Sequence, residues 1–308
     1  MKEFKNLDLQ LFAEGENNNS NVRTYQKDFK SLLQAVFKKQ SYFGDFFGGG
    51  IEALDGVQHN EVAFYVKTSD MPVVFGEDYS KDAAVAFGAG TSNTSRFGER
   101  KEIVYVDTPV NYSWGWVFHE GIDRHTVNNG FEVAVAERLD LQAQAKTQKF
   151  NMQHSKFIAE SAGKTETLTE YTADAVLTLF NNLSKYFTNI HAIGEKVAKV
   201  SPDLYNAIVD HPLTTTAKSS AANIDNNGIV KFKGFTVEVI PEDVLQEGVI
   251  AYVYIRGVAK AFTGINTART VESEDFDGVA LQGAGKAGEY IPEDNKKAVV
   301  KVALVTGA

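Results

Sequence analysis

Cysteine is absent from the 308 residues, which excludes disulfides, thiolate zinc sites and a cysteine nucleophile together. Clustered positive charge is also lacking. The 31 Lys and Arg are outnumbered by 40 Asp and Glu, giving a net charge of −9, and they form no block of five or six. That argues against a dedicated nucleic-acid-binding surface, though a neutral or acidic wall facing nucleic acid remains compatible. No apolar run reaches the roughly 18 residues needed to span a bilayer. The opening MKEFKNLDLQLFAEG is interrupted by acids and does not read as a signal peptide. Neither a GxSxG nucleophile turn nor an internal repeat occurs. What is present, 43% apolar and 23% charged residues, is ordinary for a soluble globular chain with room for one large or two medium domains.

The strongest local signal is Phe131–Ser161, free of proline and glycine and dense in Ala, Gln, Lys, Glu and Leu. Asn128-Asn129-Gly130 before it and Gly163 after it are start and stop signals. About 30 residues at 1.5 Å each predict a rod of about 45 Å. Its thin apolar stripe (Val135, Leu139, Phe150, Phe157, Ile158) suits a helix laid across a sheet better than one sunk in a bundle. A shorter helix is expected over Tyr25–Lys39, where Phe29, Leu32, Leu33, Val36 and Phe37 share one face. Others are expected over Thr172–Asn189 and, from the Ser201-Pro202 cap, through Val209.

Strands are expected at Glu61–Thr68, Ile103–Asp107, Val110–His119, Lys196–Val200, Ile229–Phe232, Phe235–Ile240, Val249–Ile255, Thr267–Glu274 and Lys297–Val305. Between the first two lies Met71–Arg100, glycine-rich, with isolated Phe75, Phe87 and Phe97. Thirty residues of weak signal between two strands read as the distal part of a two-stranded arm. The connector SYFGDFFGGG sets four aromatics against four glycines and has to be buried, in the fold or against a neighbour. Leu213–Asn227, small and polar, reads as a flexible loop closed by Asn227-Gly228.

The apparent chemical motifs fail on context. Gly283-Ala284-Gly285-Lys286-Ala287-Gly288 matches GxGxxG, but Pro292 follows where a helix is needed, so a glycine-rich turn between strands is expected. Gly163-Lys164-Thr165 follows a helix rather than opening one, and Ile158 stands where a phosphate loop needs glycine. His119-Glu120 lacks its second histidine, with Asp123 in that place; His119, Asp123 and His125 are the nearest approach to a metal cluster. No catalytic, cofactor or metal site is assigned.

The order of elements, together with Leu7-Asp8-Leu9-Gln10-Leu11-Phe12-Ala13 and the stretch from Val239-Ile240-Pro241 through Ile250 to Arg269, resembles the major capsid proteins of tailed bacteriophages. The resemblance implies an α+β fold of the Hong Kong 97 type. Its expected parts are an N-terminal arm (1–57), an extended loop (58–112), a peripheral domain (113–171) with 131–161 as spine helix, an axial domain (172–262), and a return to the peripheral sheet (263–308). It further implies a non-enzymatic shell protein assembling as hexamers and pentamers around double-stranded DNA, in the host cytoplasm and then the virion. The expected partners are further copies of itself, a portal and a separate scaffolding protein, with no cofactor and no membrane. Lys81 and Lys101 lie in or beside the extended loop, but the family's covalent Lys–Asn link is not carried over to them. Expected contact residues are Phe75, Phe87, Arg96 and Phe97 of the loop, Phe46 and Phe47 of the connector, and Phe29 and Phe37 of the arm. The alternatives are an encapsulin-like nanocompartment shell and, from another class, a hydrolytic enzyme with a long β-arm.

Overall fold

A computed structural model describes residues 40–54, 62–69, 71, 73, 75–76, 78–86, 88–89, 94–127, 130–212, 223–224 and 230–305. The expected helix Tyr25–Lys39, with Phe29 and Phe37, lies outside these residues, as do Phe87 and nearly all of the expected loop 213–227. In chain order the strands are β1 (Ile51–Ala53), β2 (Val62–Thr68), β3 (Thr94–Ser95), β4 (Gly98–Glu99), β5 (Val106–Asn111), β6 (Trp114–Asp123) and β7 (Lys164–Leu168). There follow β8 (Lys196–Val200), β9 (Asn223–Ile224), β10 (Val230–Phe232), β11 (Phe235–Val239), β12 (Val249–Ile255), β13 (Lys260–Glu272), β14 (Gly278–Tyr290) and β15 (Val299–Leu304). The helices are α1 (Arg124–Val127), α2 (Phe131–Ser161), α3 (Ala173–Asn189) and α4 (Pro202–Val209).

Two sheets organise the chain. The larger has the order β7-β15-β12-β8-β11-β10-β9 and the smaller the order β1-β13-β14-β6. The central strands β8 and β12 are almost continuously buried, as expected of strands covered on both faces. Helix α3 covers one face with Val176, Leu179, Phe180, Leu183 and Phe187, all buried at helical spacing. Each such side chain contributes about 1.5–3 kcal/mol on leaving water. Ser201 caps α4 by accepting the Leu204 N–H, and Pro202 occupies the first turn, where no N–H partner is needed.

The connector joins this same core. Phe43, Phe46 and Phe47 are almost wholly buried, and Phe46 stands edge-on to Tyr254 at 4.8 Å. The Gly257 N–H donates to the Asp45 carbonyl (2.9 Å) and the Ala259 N–H to the Phe46 carbonyl (3.3 Å), sewing the connector to the β12–β13 corner. Phe46 and Phe47 are therefore internal packing of this chain. Their assignment to inter-subunit contacts is corrected on that ground.

Helix α2 spans the residues expected of it without a break. Its thin stripe holds it only in part. Leu139 remains 37% exposed, and of the stripe only Phe150, against Trp114 and Trp116, and Ile158 are buried. The rest of the seat is polar. Asn151 donates to the Gln40 carbonyl (2.6 Å) and accepts the Tyr42 N–H (3.2 Å), while Ser155 shares a hydrogen bond with the Tyr252 hydroxyl (2.9 Å). Toward its N-terminal end the contacts become charged: Arg138 and Gln142 hold Glu120 of β6, and Lys146 lies over the Trp116 ring at 4.6 Å. The helix thus touches both sheets, by different chemistry at each end.

The expected turn at Gly283–Gly288 is the middle of β14. Aromatic rings occupy the space that side chains would take: a Cβ at Gly285 would come within 2.0 Å of the Trp116 ring and one at Gly283 within 2.1 Å of the Phe118 ring. Glycine here admits neighbouring rings over a strand rather than bending it. Strand β13 begins at Lys260, seven residues before the expected Thr267, and β5 begins at Val106 rather than Ile103. Within the expected loop 213–227, Asn223–Ile224 pair with β10 as β9.

Candidate assembly surfaces

Half of the exposed large apolar side chains among the described residues lie on the strands β2 and β5 and the excursion between them. These strands pair antiparallel from Val62↔Asn111 to Thr68↔Val106. At the root, Phe64 packs against Phe262 (5.1 Å) and Tyr290 (6.0 Å), and Ala63 and Val110 are buried. The arm is thereby anchored where β13 and β14 supply aromatic partners. Farther along, the sequence stops alternating: Ile103, Val104, Tyr105 and Val106 are consecutive, and each is more than half exposed. Tyr65, opposite Pro109 on the same pair of strands, is also exposed.

The tip is ordered by its own polar contacts. Arg96 donates from a guanidinium nitrogen to the Ser80 carbonyl (3.0 Å), and the Ser80 N–H donates to the Arg96 carbonyl (2.9 Å). The guanidinium stands 6.0 Å from the Tyr79 ring centroid, and Tyr79 meets Phe97 edge-on at 5.2 Å. Asp82 caps the adjoining single turn Ala83–Val85 by accepting the Ala84 N–H (2.9 Å). Yet Phe97 remains 85% exposed and Phe75 91%. The backbone of the tip is braced while its phenylalanines stay in water, and exposed apolar surface of this kind in general marks either an interaction site or an aggregation liability.

Of the contact residues expected from sequence, Phe75, Phe97 and Arg96 share the arm, with Arg96 spent on bracing the tip. Phe46 and Phe47 are interior, and Phe29, Phe37 and Phe87 lie outside the described residues. Sequence reading missed the exposure of Ile103–Val106. Four consecutive apolar residues with no alternation were the available signal, because a strand with one face buried alternates.

The histidines considered for metal do not converge. His119 Nε2 meets the Gln282 amide (3.2 Å), whereas His125 Nε2 faces Asp277 (3.2 Å). A depression of about 390 Å³ on the smaller sheet is lined by His119, Thr267, Arg269 and Gln282. Its polar groups engage one another, Arg269 donating twice to the Gln282 side-chain oxygen (3.1 and 3.0 Å). Glu120 is held below the usual carboxylate range by hydrogen bonds from Arg138 and Gln142, a bracing role for α2.

One buried pair joins the helix to the smaller sheet. His154 Nδ1 lies 2.9 Å from Glu289 Oε1, with side chains 4% and 3% exposed. Glu289 also accepts from Trp114 Nε1 (2.9 Å) and the Ser113 hydroxyl (3.1 Å). This network positions the root of the arm beside α2.

No protein-family model matches the chain, and no curated protein matches it. Solved structures do. The capsid of the cyanophage P-SCSP1u superposes with a TM-score of 0.65 at 10% identity, over 91% of this chain and 93% of that one. The mature capsid of bacteriophage PhiM1 gives 0.62 at 10% identity, over 91% and 92%. A virus-like particle from Pyrococcus furiosus gives 0.50 at 14% identity, over 86% and 92%. At such identities the likeness establishes the fold: this chain has the α+β fold of tailed-phage capsid proteins over nearly its whole length.

Proposed function

We propose that the chain is the major capsid subunit of a tailed phage, building an icosahedral shell from hexamers and pentamers around double-stranded DNA. The observation that carries this reading is the arm between β2 and β5, braced from within yet left with Phe75, Phe97 and Ile103–Val106 in water. Such a surface is tolerable when many identical neighbours cover it, and a heterologous contact repeated around a rotation closes a ring. Its role is structural rather than enzymatic. The net charge of −9 suits a wall that confines DNA without gripping its phosphates, since gripping needs clustered Lys and Arg. Residues 1–57 are assigned to an arm, 58–112 to the extended loop, 113–171 and 263–308 to a peripheral domain, and 172–262 to an axial domain. A portal and a separate scaffolding protein are the expected partners, with assembly in the host cytoplasm. The phage reading is preferred to a nanocompartment shell because the superposition on phage capsids is the better one (0.65 against 0.50).

Negative-stain microscopy of the purified full chain tests the proposal. Capsomers or closed shells are expected. A particle that stays monomeric under all conditions of salt, crowding and concentration overturns it. Deleting residues 74–98 should leave folded, soluble subunits that form no shells; normal shells from that variant would remove the loop from the contact.

A further inference from the structure

The connector brings a carboxylate into the sheet core beside a buried lysine. Lys199 on β8 has a side chain only 5% exposed, and its Nζ stands 3.4 Å from Asp45 Oδ1. Glu238, paired with Lys199 in register on the parallel neighbour β11, hydrogen-bonds the same Nζ. From β12 the Tyr254 hydroxyl donates to both Asp45 oxygens (3.1 and 3.2 Å). Phe46 stands edge-on to Tyr254 at 4.8 Å and helps to exclude water. Asp45 cannot swing away freely, because its carbonyl is held by the Gly257 N–H (2.9 Å).

An amine 5% exposed, a carboxyl group 13% exposed, a hydroxyl donor buried beside it and a second carboxylate at the edge of the site, 29% exposed, are the components of an acyl transfer. We infer that this cluster is an autocatalytic site that joins Lys199 Nζ to Asp45 Cγ in an intramolecular isopeptide bond. Glu238 takes a proton from the Lys199 ammonium, and the neutral amine adds to the Asp45 carboxyl carbon. Tyr254 donates to the oxygen that carries the developing negative charge. Its own ionisation is pushed well above the ordinary tyrosine value by burial and by the charge of Asp45, so it remains a donor. The intermediate collapses as the C–O bond breaks. The departing oxygen leaves as water with the proton held by Glu238 and one from the amine, and Glu238 returns to its carboxylate. The sum is one ammonium plus one carboxylate giving one amide and one water, with no oxidation and no co-reactant.

The consequence is a covalent staple between the root of the N-terminal arm and the middle of the larger sheet. It is internal to one chain, and it stands or falls independently of the shell reading.

Intact-mass measurement on the denatured full chain decides it. The wild-type chain, after folding and storage, is expected to run lighter than its sequence mass by one water. Trypsin should fail to cut after Lys199, and tandem spectra should place Asp45 and Lys199 in one branched peptide. Glu238→Gln and Lys199→Arg are expected at full mass. A folded wild-type chain at full sequence mass, or a lost water located elsewhere, overturns the bond and leaves a buried ion pair. Complete bond formation in Glu238→Gln would overturn the proton-transfer role of Glu238.

Discussion

Replacing Glu289 by alanine tests how much polar contacts add to the packing of Phe150 in seating α2 against the smaller sheet. The lost carboxylate is only 3% exposed and is shared by His154, Trp114 and Ser113. Ser113 is exposed and can turn to water, but the Trp114 and His154 nitrogens lose their partner inside the protein. Two orphaned groups at about 1–3 kcal/mol each give roughly 2–6 kcal/mol. The expectation is therefore about 4 kcal/mol. Trp114 and Trp116 are the only tryptophans, and they lie side by side at 5.7 Å, so emission during urea unfolding reports from the site itself. With a slope of about 2 kcal/mol per molar, the midpoint should fall by about 2 M with the slope unchanged. Glu289→Gln keeps an acceptor and should lose less. A midpoint shift of Glu289→Ala below about 0.5 M, in unassembled chain, would refute the reasoning.

Other substitutions separate the core from the exposed arm. Gly285→Ala should lower stability by about 1–3 kcal/mol through overpacking against the Trp116 ring, measured by thermal melting; unchanged melting would mean the ring is free to move aside. Phe46→Ala should cost about 3–5 kcal/mol in unassembled chain, as expected for emptying a core site. Phe97→Ser should change that stability by less than about 0.5 kcal/mol yet reduce shell yield under microscopy, since the side chain touches mainly solvent in the free subunit. Glu120 has a folded-state value below the ordinary 4.5, so its contribution is fully present above pH 4.5 and disappears as pH falls through the lowered native value. Arg138→Gln should flatten that part of the stability-versus-pH curve; an unaltered acid limb would show that Arg138 does not hold the carboxylate.

Much of the secondary structure was legible because its signals were local. Strand β8, helix α4 after its Ser201-Pro202 cap, strand β12 and helix α2 all occupy the residues that propensity and capping single out. The errors came where a residue type answers to something distant. Glycines 283, 285 and 288 look like chain punctuation, but their small size serves Phe118, Trp116 and Phe262, which arrive from other strands. The seat of α2 was invisible for the same reason. Asn151 grips residues 40 and 42, and His154 meets a carboxylate 135 positions away, so no periodicity along the helix marks them. Phe46 and Phe47 were correctly expected to need cover, but composition cannot say whether cover comes from the same chain. The exposed phenylalanines of the arm were legible as isolated aromatics among glycines; the Arg96 brace beneath them was not.

The place of β15 in the larger sheet sets a schedule for biosynthesis. It lies between β7 and β12, pairing with both, so the last of the described strands is inserted beside strands made much earlier. Until residue 304 has left the ribosome, β12 has one open edge and β7 has no partner among the described strands. Proteins otherwise tend to fold from the N-terminal end as they emerge. Here a nascent chain can form α3 and part of the sheet but not the finished body. The larger sheet is therefore completed only once residues 299–304 have been made, whatever the order in which its helices form.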